Sequence, residues 1–545
     1  MAKVLLRILI LVFVCVVSVS LLAQKDNTGM IISYPEEKKK EGETLIYLEH
    51  SDVLMFDKDR LEDIQVLQGN VCFRHDDAYM YCDSAYFYEK ENSLDAFSNV
   101  RIVQGDTLFI YGDVLYYDGN TSLARLRRNV RMENRSSVLT TDSLNYDRKA
   151  DVGYYFNGGK LTDQLNELVS EWGFYYPSTN VATFKKGVVM TNPNFVMTSD
   201  TLNYNTNTEI ADIVGPTDII YEEETHIYTE RGWYDTRREY SELLQNSYIE
   251  HQDTKKMIGD SILYDKPSGS AWAFQNIELA DTLKDVSLFG HYGYYNEISK
   301  NGIITDSAMM MEYSSEDTLY LHADTLYLFP DSVFNIVEAC YNARFYRNDV
   351  QGVADSMAYT SRDSVLHMLY DPIVWSDKQQ ITGDTIRAYS YGEGAGLVHV
   401  INSAFACQMC DSVHFNQISG KEMFAHISDD TLRLVEVKGN TESIYYPIDE
   451  ADGEFIGLNK TQSSYLKAYF KDGDLDRIVL FPSPTGNLYP MDKITSELLY
   501  FPGFSWKIEY RPNKKEDIFL RFERNINKEE DKKVRKRSSN KKQKE

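Results

Sequence analysis

Over most of this chain, apolar and polar residues alternate one for one in passes of roughly ten residues separated by short clusters of turn formers. Leu144 and Tyr146, Leu202 and Tyr204, and Ile262 and Tyr264 lie two positions apart, so each pair occupies one face of a pleated strand. One series of turns reads Asp118-Gly119-Asn120, Ser178-Thr179-Asn180 and Asn205-Thr206-Asn207. A second series reads Gln104-Gly105-Asp106, Asn134-Arg135-Ser136 and Asn192-Pro193-Asn194. The chain therefore reverses every 14 or 15 residues, and beyond its N-terminal segment no window carries a helical period. The pattern predicts antiparallel strands with one buried face.

The strands fall into a repeat. TTDSLNYD (Thr140 to Asp147) returns as TSDTLNYN (Thr198 to Asn205) and, less closely, as GDSILYD (Gly259 to Asp265). Acidic residues, or one histidine in their place, recur at Asp52, Asp83, Asp113, Asp142, Glu171, Asp200, Glu230, Asp260, His291, Asp324, Asp355 and Asp384, in steps of 29 to 33 residues. Four places after each lie Phe56, Phe87, Tyr117, Tyr146, Tyr175, Tyr204, Tyr234, Tyr264, Tyr295, Leu328, Tyr359 and Ala388. Ten of these twelve are aromatic in a chain that is 13% aromatic overall, so the period is genuine. Each unit has a second half marked by Asn or Gly before an aliphatic residue, as in Asn70-Val71, Asn99-Val100, Asn129-Val130, Gly187-Val188 and Asn276-Ile277.

Each pass is then a strand bent near its middle. The acids Asp83, Asp113, Asp142, Asp200, Asp260 and Asp355 are read as corner residues whose side chains bond backbone amides freed where the ladder breaks. Stacked bent strands give an all-β fold: an elongated antiparallel β-jelly-roll or solenoid of two facing sheets, built from repeats of about 30 residues. Two passes at ~4.8 Å each advance the stack ~10 Å per repeat, or on the order of 110 Å for the ladder. Phe87, Tyr117, Leu144, Tyr146, Tyr175, Leu202, Tyr204, Tyr234, Ile262, Tyr264 and Tyr295 would face its interior.

Composition narrows the function. A formal charge of -26 argues against nucleic acid as a partner, because phosphate contacts need clustered Lys and Arg. The run Lys532 to Lys544 departs from that balance with eight basic residues and no acid, and reads as a solubility tail or a tether to an anionic surface. At the other end, Lys3 and Arg7 precede an apolar run, Ile8 to Val19, that closes with Ala23 before Gln24. This is the layout of a cleaved export signal. Cys72 and Cys82 sit where a hairpin bridge is conceivable, and Cys407-Gln408-Met409-Cys410 lacks a second ligand pair, so the cysteines are expected to be buried or disulfide-bonded.

Phosphate loops, zinc-protease helices and nucleophile elbows are missing from the sequence. Gly392-Glu393-Gly394-Ala395-Gly396 is a glycine-rich turn, and Asp472-Gly473-Asp474-Leu475-Asp476 lacks the later glutamate of a calcium loop and follows Tyr469-Phe470 like a hairpin tip. No catalytic residue, metal site or cofactor is assigned. Acids aligned along a solenoid face keep one enzymatic alternative open, a polysaccharide-cleaving solenoid.

Units of the form D-S-x-x-Y, turn, A-x-x-x-N-V, turn, behind an export signal, resemble the OstA/LptA-like (organic solvent tolerance) lipopolysaccharide-transport family. The clearest copies are Asp83 to Val100, Asp113 to Val130 and Asp142 to Gly159, and the likeness runs by repeat over roughly residues 45 to 400. The resemblance implies a periplasmic, non-enzymatic bridge that holds lipopolysaccharide or a related glycolipid with its acyl chains inside the trough. It also implies partners of the same transport system joined by edge-strand pairing. The organisation expected is a signal peptide at 1–23, a polar linker at 24–44, the β-repeat domain at 45–400, a divergent β continuation and cap at 401–510, and a basic disordered tail at 511–545 that meets a membrane surface. An envelope scaffold or adhesin with a filled interior is the alternative from the same fold.

Overall fold

The computed structural model describes residues 44–521, apart from short stretches at 57–63, 222–223, 314–316, 331–334, 361, 393, 430, 450–451 and 472–473. The export signal and the basic run from Lys532 lie outside the described residues. Within them the chain is nearly all strand, every pairing is antiparallel, and the only helical elements are three short 3₁₀ turns after Pro490.

Consecutive passes pair with each other, and nearly every long pair breaks register once, at its middle. Between Phe97 and Val100 the strand Ser93–Gln104 skips two residues against its neighbour, and the strand Leu123–Asn134 does the same between Arg127 and Val130. Both skipped residues are left-handed: Ser98 and Asn99 at φ 63° and 51°, Arg128 and Asn129 at 64° and 50°. That conformation turns the chain sharply and suits Asn and Gly, which explains the recurring Asn/Gly before the aliphatic residue. On one side of the corner the half-strands build a first sheet, and on the other side a second. Where a pass is fully split the division is plain: Gly159–Thr162 pairs with residues 138–141 of the strand Ser137–Asp147, while Val152–Tyr155 pairs with its far end, 145–147.

The corner acids use their side chains differently from the expectation. Asp83 accepts from the Nδ2 of Asn99 at 2.7 Å, Asp113 from Asn129 at 2.7 Å and Asp260 from Asn276 at 2.8 Å, each partner lying on the following strand. The acid thus clamps the left-handed asparagine of the next corner rather than a freed backbone amide. Asp200 and Asp355 accept from the adjacent hydroxyls of Thr201 and Ser356 at 3.1 and 3.0 Å, and Asp142 sits exposed at a corner whose opposite residue is Gly158.

The corner geometry outlasts its sequence signature. Past residue 400, left-handed pairs recur at Asn402-Ser403 and Gly439-Asn440, with register breaks at the same places, and bent strands of up to 15 residues continue to the hairpin Lys471–Asp474. The last strand, Thr485–Pro490, pairs only with Gly457–Lys471. Strands containing Leu480, Phe481 and Tyr489 close the stack as far as Pro490, and none of the described residues beyond it, Tyr500 and Phe501 included, forms a strand.

Instead, residues 491–521 run back as an irregular strap over the outer face of the first sheet. Three buried glutamines hold it. Gln417 donates to the Leu499 carbonyl at 2.8 Å and accepts from the Phe501 amide at 3.0 Å; Gln380 donates to the Ser505 carbonyl at 2.9 Å and accepts from the Lys507 amide at 2.8 Å. Gln351 accepts from Arg511 Nε at 2.8 Å. Beneath the strap Trp375 is fully buried, Ile518 is buried, and Phe519 packs its ring against His322 at 4.7 Å. Residues 511–521 are therefore ordered, in contrast to the disordered tail expected from residue 511 onward.

Candidate functional site

The two sheets face each other across one continuous row of inward side chains, joined along one margin by the corners and leaving the hairpin tips along the other. This interior is the feature from which a function has to be built, and it has two parts.

From Ile46 to Ile277 the interior is filled. Phe87, Tyr117, Leu144, Tyr146, Tyr175, Leu202, Tyr204, Tyr234, Ile262 and Tyr264 all point inward with at most 5% of their surface accessible, and Tyr295 packs half-buried at the end of the series. The tyrosines do more than fill space, because each ring ends in a hydroxyl at the tip of the second sheet. There it meets a polar group at the tip of the first. Tyr117 Oη lies 2.6 Å from His75 Nδ1, Tyr146 Oη lies 3.1 Å from Gln104 Oε1 and 2.9 Å from Asp151 Oδ1 beside its own strand, so that two acceptors share its one proton, and Tyr175 accepts from Asn134 Nδ2 at 2.9 Å. Tyr204 accepts from Asn166 at 2.8 Å and donates to Asp163, and Tyr234 bonds the hydroxyl of Tyr221. In five successive places a tyrosine laces the tips together across the mouth.

Burial raises the hydroxyl pKa of Tyr117, Tyr146, Tyr175, Tyr204 and Tyr234, so the phenols stay protonated throughout the physiological range. The first lace is the most elaborate. His75 is fully buried; Arg148 Nη1 reaches both His75 Nδ1 at 3.2 Å and Tyr117 Oη at 2.9 Å, and its other terminal nitrogen pairs with Asp77 at 2.7 Å. With a guanidinium facing Nδ1, that nitrogen is the acceptor and Nε2 carries the proton toward Thr44, whose hydroxyl is 2.7 Å away. Tyr264 differs, since it bonds Glu297 on its own sheet at 3.3 Å.

Beyond Tyr295 the ladder changes. Two of the next three tip positions, Leu328 and Ala388, carry no hydroxyl, and Tyr359 is 40% exposed. A buried floor persists near the corners, formed by Met357, Met368, Ile386, Val400, Met423 and Val437. Nearer the tips the inward residues, among them Leu366, Val398, Ala425, Leu432 and Phe470, are only partly buried. The opposing sheet contributes Met310, Val350, Val374, Ile381, Ala406 and Ile418, likewise partly buried. The second half of the molecule thus keeps a buried apolar core near the corners and partly accessible apolar residues toward the tips.

The five cysteines among the described residues are free, and for Cys72 and Cys82 register explains why. Cys82 pairs with Val71 and faces inward, whereas Cys72 pairs with Tyr81 on the opposite face of the pleat, so the conceivable hairpin bridge does not form. Cys407 pairs with both Gln380 and Gln417 beneath the strap, where burial pushes its thiol up to about 12, while Cys410 lies in the following turn.

Sequence reasoning found the inward positions but missed two things. The laces were hidden because their polar halves, His75, Gln104 and Asn134, sit about 40 residues before their tyrosines in ordinary turn sequences. The strap clamps were hidden as well, although Gln at an outward strand position before an aliphatic residue (Gln351-Gly352-Val353, Gln380-Ile381, Gln417-Ile418) is a faint signal for them.

Fold and interior together define a class: an elongated antiparallel two-sheet β-solenoid that encloses an apolar row and opens along one margin. Residues 43–200 match the family model described as OstA-like protein, so the chain carries an OstA-like domain over that stretch, in line with the resemblance of its repeat to OstA/LptA-like proteins. No curated protein matches the chain.

Proposed function

We propose that this protein is a glycolipid-binding bridge of the bacterial envelope, which holds the acyl chains of lipopolysaccharide or a related glycolipid in its interior and acts by binding rather than by catalysis. The observation that carries this reading is the run of apolar, partly accessible inward residues from Leu288 to Leu480, lying along the same interior as an OstA-like domain. A lipid with several chains needs an apolar channel with a wet margin for its head group, and a two-sheet trough open at the tips supplies both. Inward aliphatics and aromatics hold chains without specific bonds, which permits sliding. The export signal read at residues 1–23 supports a periplasmic setting for such a bridge, and the basic run from Lys532 would meet anionic head groups. Exposed edge strands at the two ends are the surfaces on which other transport proteins would add a strand.

Mass spectrometry of the protein purified from its native envelope provides the test. A stoichiometric multi-acylated glycolipid is expected, and its absence from material gently extracted under several conditions would remove the proposal. The filled interior between Ile46 and Ile277 favours a second reading, an envelope scaffold, which predicts that same absence.

A further inference from the structure

The two parts of the interior differ in one respect that chemistry can act on, namely whether the tips are held together. In the first part five successive rings, from Tyr117 to Tyr234, span the gap between the sheets and bring a hydroxyl within reach of a partner on the far side. The partners differ in kind: an imidazole, a primary amide, a second amide, an amide with a carboxylate, and a phenol. What they share is position, at the first-sheet tips and in reach of the tyrosine four places after a corner residue. An acyl chain entering there would have to part a buried hydrogen bond and leave both halves without water, at a cost of roughly 1–3 kcal/mol for each group left unpaired. It would also have to displace rings that already fill the space.

In the second part the ladder offers Leu328 and Ala388, which cannot form such a bond, and the walls there are already accessible. From this we infer that the tyrosine laces partition the rod. Residues 65–277 form a sealed spacer, and residues 286–481 form the stretch that takes acyl chains. The inference rests on the lipid-carrier reading above and sharpens it, for it makes the aromatic ladder a closure instead of a lining. It also assigns a role to the break in the ladder, since the last tyrosine that crosses to the far sheet, Tyr234, lies before the ligand track and Leu328 and Ala388 lie within it. The OstA-like stretch at 43–200 then lies wholly within the spacer.

The experiment uses the intact protein and a palmitate analogue carrying a diazirine in its chain. After photolysis, adducts are mapped by peptide mass spectrometry, with unlabelled palmitate as competitor. Competable adducts confined to peptides within 286–481 support the partition. Competable adducts on interior positions such as Leu144 or Leu202 at comparable yield overturn it while leaving the lipid-carrier reading standing. If no competable adduct forms anywhere and no lipid copurifies, the carrier reading itself fails, and the partition with it. A triple variant, Y146F/Y175F/Y204F, keeps the rings and removes three hydroxyls. It is expected to raise labelling around Leu144 and Leu202 several-fold with little change in 286–481. Unchanged labelling in a variant shown to be folded by circular dichroism would reject the hydroxyls as the closure.

Discussion

At the scale of single residues, the tyrosines four places after each corner explain an oddity of composition, 40 Tyr against 25 Phe. Phenylalanine would fill the interior equally well, but only tyrosine reaches the far sheet with a donor and acceptor at its end. A lace between neutral groups, such as Tyr175 with Asn134, is expected to contribute about 1 kcal/mol net. The His75 lace adds a dependence on pH. Burial, reinforced by the charges of Arg148 and Lys149 and opposed by that of Asp76, holds its imidazole below the ordinary value. The unfolded chain therefore binds a proton that the folded chain refuses as pH falls through about 6.5, so stability drops on acidification. Melting temperature measured from pH 7.5 to 5 should fall in the native protein and fall less in His75→Gln, whose amide keeps a neutral partner for Tyr117. Parallel curves would show that His75 does not contribute.

The corner acids belong to the same scale. Their recurrence was legible in the sequence. Their bonding was not, because Asp83 and Asn99 come together only once two strands are paired with a two-residue skip between them.

Among elements, the bent strand and the strap obey different rules. A strand is specified locally, by alternation and by a left-handed pair at its bend, which is why repeats could be read by eye over residues 52–388. The strap has neither alternation nor period. It is held because buried glutamines present a donor and an acceptor to a passing backbone, much as a neighbouring strand would, and cover Trp375 and Cys407 in doing so. Cutting the chain after Pro490 should leave the bent strands folded and uncover that face. Alkylation of Cys407, whose thiol burial now keeps protonated, is expected to accelerate by roughly tenfold or more, as it would on loss of a locally unfolding cover. Alkylation as slow as in the full chain would mean that the sheet alone shields this thiol.

Taken as a whole molecule, the stack has two ends and both are open edges. At one end, among the described residues, Val53–Phe56 pairs on one side only, with Gln65–His75, and shows Val53, Leu54, Met55 and Phe56 each 45–56% exposed. At the other, Leu488 of the last strand is 56% exposed and Phe481 of the neighbouring hairpin 39%. Edges with exposed apolar residues invite another strand, most of all Val53–Phe56, which carries no charge, whereas Asp474–Phe481 carries Asp474, Asp476 and Arg477. Sedimentation at rising concentration should reveal end-to-end association, and L54K/F56K should shift it toward the single chain. Association unaffected by these charges would locate the contact elsewhere.

The sequence by itself determined the strand period, the inward face of each pass, the corners and the all-β stacked architecture, because all of these follow from the order of residues along about one repeat. Tertiary structure alone decided that the mouth is laced in one half and accessible in the other, that 491–521 folds back over a sheet, and that Cys72 and Cys82 stay apart. Each of these depends on groups distant in sequence meeting at a set spacing. That spacing arises from the packing of many side chains between the sheets, which no local pattern records.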